Sequence, residues 1–230
     1  MMLPTENGSF RLFRFAGIDV WLHWSWVVVA LWVLSARQNY YSTMAWNAAE
    51  YLTLFGIVLL HEYGHALACR QVGGQANKII LWPLGGVAYV APPYRPWAHL
   101  WSIAAGPLVN VALVPVIHYT GRLLILSDAA PASPDFWRWL GTIQFINYAL
   151  LIFNWMPVYP LDGGQIVRSL LWFKIGPRKS LLVASGIGLV GAAGLLIFAL
   201  SGGRWWLAIM AGFLGSNAWR SFKDAKGTQI

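Results

Sequence analysis

No glutamate follows position 62, and charged residues of every kind make up only 10% of the 230-residue chain. Soluble domains carry about a quarter charged residues. That scarcity, with 58% hydrophobic residues and a mean hydropathy of +0.55, excludes an ordinary water-soluble domain and points to an integral membrane protein. A single cysteine, Cys69, excludes an intrachain disulfide and any cysteine-based zinc finger or redox pair. Neither a Ser/Gly-rich linker nor a repeat divides the chain, which reads as one domain over residues 1–230. The first apolar stretch follows Arg11 and Arg14, is longer than the h-region of a signal peptide and lacks a small-x-small cleavage site, so it is expected to be retained.

A helix that spans a bilayer needs about 20 apolar residues. Stretches of that kind lie at approximately 17–36, 49–72, 97–121, 137–160, 179–201 and 204–220. The expected fold is therefore an all-α polytopic membrane protein with six transmembrane helices. Two longer segments, 73–96 and 161–178, lie outside these spans. The first is β-like, with branched and aromatic residues flanking "PLGG", so a small membrane-associated β segment is expected between helices two and three. Basic residues are retained on the cytoplasmic side. All but Arg37, Arg122, Arg138 and Arg204 of the 16 fall on the side of the termini, which makes both termini cytoplasmic in a multi-pass protein of the cell membrane. The net charge of +8 is then a matter of topology and contact with the lipid bilayer, and no interleaved basic and aromatic patch argues for nucleic acid.

Against this background residues 60–65 read "LHEYGH". In a helix His61 and His65 share one face about 6 Å apart along the axis, a separation at which two imidazoles can grip one Zn²⁺. Glu62 projects beside them, placed to take a proton from a zinc-activated water. Ionisable groups in a membrane cost a few kcal/mol each, so function is their default reading; the alternative is a set of polar residues at a helix end, bonded to neighbouring helices.

A third ligand is required. The carboxylates after Glu62 are Asp128, Asp135, Asp162 and Asp224. Asp128 and Asp135 belong to an outer loop and Asp224 to the tail, which leaves Asp162, at the cytoplasmic end of the fourth helix, to share a depth with the histidines. Cys69 continues their face but lies about 12 Å from His61 along the axis, too far to join one ion. Asp162 sits in "NWMPVYPLDGG", where prolines and glycines end helices and expose backbone, a state tolerated at membrane depth only beside a wet or enclosed cavity.

"HEYGH", "AGPLVN" at 105–110 and "NYALLIFNWMPVYPLDGG" at 147–164 together resemble the site-2 protease family of intramembrane zinc metalloproteases, in the family's order and over roughly residues 17–172. The resemblance implies cleavage of a peptide bond within or beside a substrate's transmembrane helix, one zinc per chain on His61, His65 and Asp162, and Glu62 as general base. It makes Asn154, and after it Asn110, candidates to orient substrate or stabilise an oxyanion; helix–helix hydrogen bonds are the alternative for both. The implied partners are a transmembrane protein substrate and a membrane-anchored regulator. Beyond the helices the sequence leaves no room for a PDZ or CBS domain, so a compact form is expected, and Gln165 stands where similar proteins often have arginine.

His23 reads as a local hydrogen-bonding residue, with a role beside the metal as the alternative; His99 and His118 read as non-ligands. Two other functions fit parts of the pattern, a zinc transporter and a catalytically inactive relative that binds transmembrane helices. Finally, a substrate helix must unwind before its carbonyls can be attacked, and the β-like stretch 79–90 is suited to satisfy the freed groups, with Val87 to Val90 as the pairing strand and Gly85 and Gly86 allowing close approach. The alternative is a plain surface hairpin.

Overall fold

The structure, a computed structural model, describes residues 8–37, 39–82, 85–129 and 131–227. Among them the chain order is β1 (Ser9–Phe15), β2 (Ile18–His23), α1 (Ser25–Ala36), α2 (Met44–Gln71), β3 (Gln75–Trp82), β4 (Gly85–Ala91), α3 (Pro96–Leu126), α4 (Pro134–Trp155), α5 (Asp162–Ser201) and α6 (Trp205–Gly227). The described residues are mostly helical, with six helices and one four-stranded sheet. Three helices, α2, α3 and α5, are long and apolar enough to cross a membrane. Their outer surfaces are apolar as well, with Val190 75% and Ile197 70% exposed, as expected of groups that face lipid. This is an integral membrane protein.

The first expected helix, 17–36, is divided in two. Its opening residues form β2, and only Ser25–Ala36 is helical. Ile18 and Val20 are fully buried and alternate with partly exposed Asp19 and Trp21, the period of a strand with one covered face. A short apolar run does not by itself separate strand from helix. Residues 9–15, for which the sequence raised no expectation, supply the edge strand β1. The β segment between α2 and α3 is therefore half of a larger sheet of order β1-β2-β3-β4, parallel between β2 and β3 and antiparallel elsewhere. Pro83 and Leu84 of the expected turn lie outside the described residues.

One face of the sheet, with Ile18, Val20, Ile79 and Leu81, packs on Ala66 and Cys69 of α2. That contact holds the sheet against the helix that carries "HEYGH". On its other side α2 meets α3 closely: a Cβ on Gly64 would lie 2.7 Å from the Ala105 carbonyl oxygen. Such small-residue contacts are how helices approach in lipid.

Two further boundaries differ from expectation. Helix α4 stops at Trp155 rather than 160, because Pro157 and Pro160 cannot donate to a helix. The segment 161–178, expected to lie outside the helices, instead opens α5, which is broken at Gly176 (φ 77°, ψ 168°) and continues to Ser201. Asp162 is thus the first residue of α5 rather than the end of the fourth helix.

At the end of α2 remote from "HEYGH", the connection from α1 is fastened to two helices. Arg37 pairs with Glu50, and the Tyr41 hydroxyl donates to Glu50 Oε2 at 2.5 Å. Burial, with that bond to Glu50 second, pushes the Tyr41 phenol up to about 12. The Ser42 N–H donates to Asp135 Oδ2 at 3.0 Å in the first turn of α4, and the Ser42 hydroxyl joins it.

Candidate metal centre

Helical spacing puts His61 and His65 one turn apart on α2, and the start of α5 brings Asp162 against them. The two Nε2 atoms are 3.1 Å apart. Asp162 Oδ2 lies 3.0 Å from His61 Nε2 and 3.3 Å from His65 Nε2. Both histidines are buried, at 5% and 6% exposure.

The outer ring nitrogens decide what this convergence means. His65 Nδ1 donates to the Ser102 carbonyl at 2.9 Å. His61 Nδ1 is 2.6 Å from Asn110 Oδ1, and the Asn110 amide NH₂ is already directed to Asn147 Oδ1 at 2.8 Å, so the histidine is the donor. With both Nδ1 atoms carrying protons, both neutral rings turn an Nε2 lone pair inward, toward each other and toward a carboxylate oxygen. Three acceptors gathered in this way repel one another unless a cation lies among them. Ligand atoms about 2.0–2.1 Å from a tetrahedral zinc sit about 3.3 Å apart, which is close to the spacing found. Two imidazoles and one carboxylate are also a donor set that zinc takes in catalytic sites. Gly106 preserves the space: a Cβ there would lie 2.8 Å from His61 Nε2 and closer still to His65 Nε2. Among the described residues no other group of three such side chains could hold a metal.

Residues 49–126 and 116–198 match the family described as Peptidase family M50. The chain belongs to peptidase family M50. It is 35% identical to a zinc metalloprotease of Methanocaldococcus jannaschii over 84% of this chain and 55% of that one. It is 28% identical to stage IV sporulation protein FB of Bacillus subtilis over 62% of this chain and 43% of that one. Among solved structures it resembles the site-2 protease from Methanocaldococcus jannaschii, with a TM-score of 0.65, 29% identity, and 93% and 95% of the two chains covered. The chain spans about half the length of the curated relatives it matches.

In this member of the M50 family the buried network behind His61 extends one residue further than the sequence indicated. Asn147 accepts from the Asn110 side chain and donates to the Asn110 backbone carbonyl at 2.9 Å, and both asparagines are fully buried. The signal for Asn147 was present: an amide two turns before Asn154, at the head of the run "YALLIF", is costly and asks for a partner. The Ser102 carbonyl had no such signal, since any residue supplies one.

Glu62 lies on the cleft side of the centre. Its Oε2 accepts from the Ala88 N–H of β4 at 2.7 Å, and a Cβ on Gly86 would lie 2.7 Å from its Oε1. A cleft of about 660 Å³ opens here between β4, the 156–161 segment and α6, and Asn154 and Gln165 line it. The Gln165 amide donates to the Pro160 carbonyl at 3.0 Å.

The remaining residues singled out in the sequence lie apart from the metal group. His23 accepts from the Ser25 N–H at 3.3 Å and so helps to open α1. His99 packs on Trp172, with ring centroids 5.1 Å apart, and His118 on Tyr119 at 5.2 Å. Cys69 is fully buried, with its thiol 3.4 Å from the Gln75 carbonyl.

Proposed function

We propose that this M50 peptidase is an intramembrane metalloprotease that hydrolyses a peptide bond in or beside the transmembrane segment of a membrane protein. The observation that carries the reading is the meeting of two Nε2 lone pairs and one carboxylate oxygen in a buried space kept open by Gly106. His61, His65 and Asp162 would hold one zinc. When bound there, zinc supplies Lewis acidity and lowers the pKa of water to near neutral. Glu62 takes the proton of the attacking water and returns it to the leaving amide nitrogen. Asn154, in the cleft wall, directs its amide at the developing oxyanion or at the substrate backbone. Asn110 has both ends of its amide engaged inside the protein and acts by fixing the His61 ring.

In this reading residues 1–230 form one protease domain with six membrane-spanning helices. Both termini and the metal centre lie toward the cytoplasm, as the distribution of basic residues favours. An unwound substrate segment adds to β4 as a further strand. Residues in a strand turn their N–H and C=O groups alternately to either side, so Gly86, Ala88 and Val90 face outward with the Ala88 N–H. The substrate is a transmembrane protein, and a membrane-anchored regulator fits the same role.

The test compares membranes that contain the wild type with membranes that contain Glu62→Gln. The variant keeps all three ligands, so metal analysis gives about one zinc per chain in both. Cleavage of the membrane proteins lost in the wild type falls by about 10²- to 10⁴-fold. Cleavage by Glu62→Gln at the wild-type rate overturns the assignment.

A further inference from the structure

An extended substrate segment in the cleft has two backbone edges, because successive residues of a strand turn their N–H and C=O groups to opposite sides. Pairing with β4 satisfies one edge. The other faces away from the sheet, where an N–H taken out of water and left without an acceptor is costly. What the rest of the cleft offers that edge is limited. Among the described residues that line it on α4, the 156–161 segment, α5 and α6, the polar side chains are Asn154, Asp162 and Gln165, and the others are apolar. Asp162 is part of the metal group, which leaves two amides.

Of these, Gln165 has its direction set by the protein. It lies three residues after Asp162 in the first turn of α5, so the two side chains are neighbours on the helix surface. Its Nε2 donates to the Pro160 carbonyl at 3.0 Å. A carbonyl only accepts, so the NH₂ end of the amide is committed to the 156–161 segment. The Oε1 end has no partner among the described residues. Gln165 is only partly buried and lines the cleft, so this acceptor is left to whatever enters there.

We infer that Gln165 Oε1 receives a backbone N–H of the substrate on the edge that β4 does not reach. The unwound segment is then held from both sides, by β4 and by the first turn of α5. The inference rests on the protease reading and on substrate addition to β4. It also carries a selection. The bond is made to backbone, so it accepts any side chain at that position except proline, which has no N–H to give. Rejection of proline there exceeds the gain from the bond itself, since an unmet polar group costs more than a made bond contributes.

The test uses the full zinc-loaded chain in detergent with peptides from a digested bacterial cell extract, and zinc content is measured for every variant. Mass spectrometry identifies a peptide that is cut. That peptide is resynthesised as a set in which one amide N–H at a time, outside the scissile bond, is replaced by an ester oxygen. In the wild type an ester at one position facing away from β4 slows cleavage by about three- to tenfold, the worth of one hydrogen bond. Gln165→Arg still donates to the Pro160 carbonyl but has no acceptor, so it cuts the amide and ester forms of that position at the same rate. Gln165→Met removes donor and acceptor together and gives the same equality, and it decides the matter if Gln165→Arg does not retain zinc. Each comparison is a ratio within one variant, so a general loss of activity from a loosened 156–161 segment cancels. A scan in which no ester effect disappears in either zinc-loaded variant overturns the role of Gln165 and leaves the protease reading intact. A zinc-loaded wild type that cuts no peptide overturns both.

Discussion

The Ala88 N–H donates to Glu62 Oε2 at 2.7 Å, so the carboxylate beside the metal group is held by the backbone of the edge strand. A backbone donor cannot rotate away, and it fixes where the carboxylate stands relative to the cleft. The position of β4 along α2 thereby sets where Glu62 stands beside the metal group.

Gly86→Ala tests this relationship from the strand side. The added methyl would stand 2.7 Å from Glu62 Oε1, and it displaces the carboxylate while leaving His61, His65 and Asp162 in place. Proteolysis should fall by roughly 100-fold, the cost of about 1 Å of misplacement, with zinc content unchanged. Equal activity at equal zinc loading would show that the base does not depend on the strand.

Gly106→Ala should act on the metal instead. Its methyl enters the space between the two Nε2 atoms. Zinc analysis of the purified variant should show loss of the ion, and excess zinc should fail to restore it.

Asn147→Leu removes the partner of Asn110 without touching a ligand. Loss of such outer hydrogen bonds costs about 10- to 100-fold in metal affinity. Competition with a chelator measures that loss, and a shifted visible spectrum of the cobalt-substituted variant would separate a reoriented His61 from a general loss of fold. An unchanged affinity and spectrum would confine Asn147 to helix packing.

Asp162→Ala should abolish zinc binding, whereas Asp128→Ala and Asp135→Ala should keep it. Asp135 is engaged by Ser42, and Asp128 follows α3. Undiminished zinc in Asp162→Ala would send the search for a third ligand to other side chains.

Val90→Pro addresses substrate pairing. Proline at Ala88 would also take the hydrogen from Glu62, and the Tyr89 N–H turns inward to β3, so neither isolates the outer edge. Val90 offers an outward N–H and no bond to the base. Cleavage of a helical membrane substrate should slow while zinc is retained, and a rate equal to wild type would show that substrate does not pair there.

The parts of the site that depend on side-chain identity were legible in the sequence. His61 and His65 have a spacing that a helix turns to one face, with Glu62 beside them, and Asp162 was the one carboxylate left at a suitable depth. What was not legible depends on backbone and on chain segments far apart. The Ser102 carbonyl and the Ala88 N–H carry no residue signature. Residues 18–23 are apolar enough to pass for the start of a spanning helix, and pairing with β1 and with β3, more than fifty positions later, makes them a strand. Gly176 shows the reverse error: residues 161–178 were expected to lie between helices, yet helix continues on both sides of one unusual residue.

The fastening of Arg37, Tyr41 and Ser42 to Glu50 and Asp135 lies about 16 Å along α2 from His61, at 1.5 Å per residue. Helices α2 and α4 are therefore joined by the chain's own side chains at one end, while His61 and His65 of α2 meet Asp162 at the start of α5 at the other, where a bound metal would hold them, like tongs with a fixed pivot. Withdrawing the ion with a chelator opens the jaws and spares the pivot. The stripped protein should keep its helix content by circular dichroism and close again on added zinc without passing through an unfolded state.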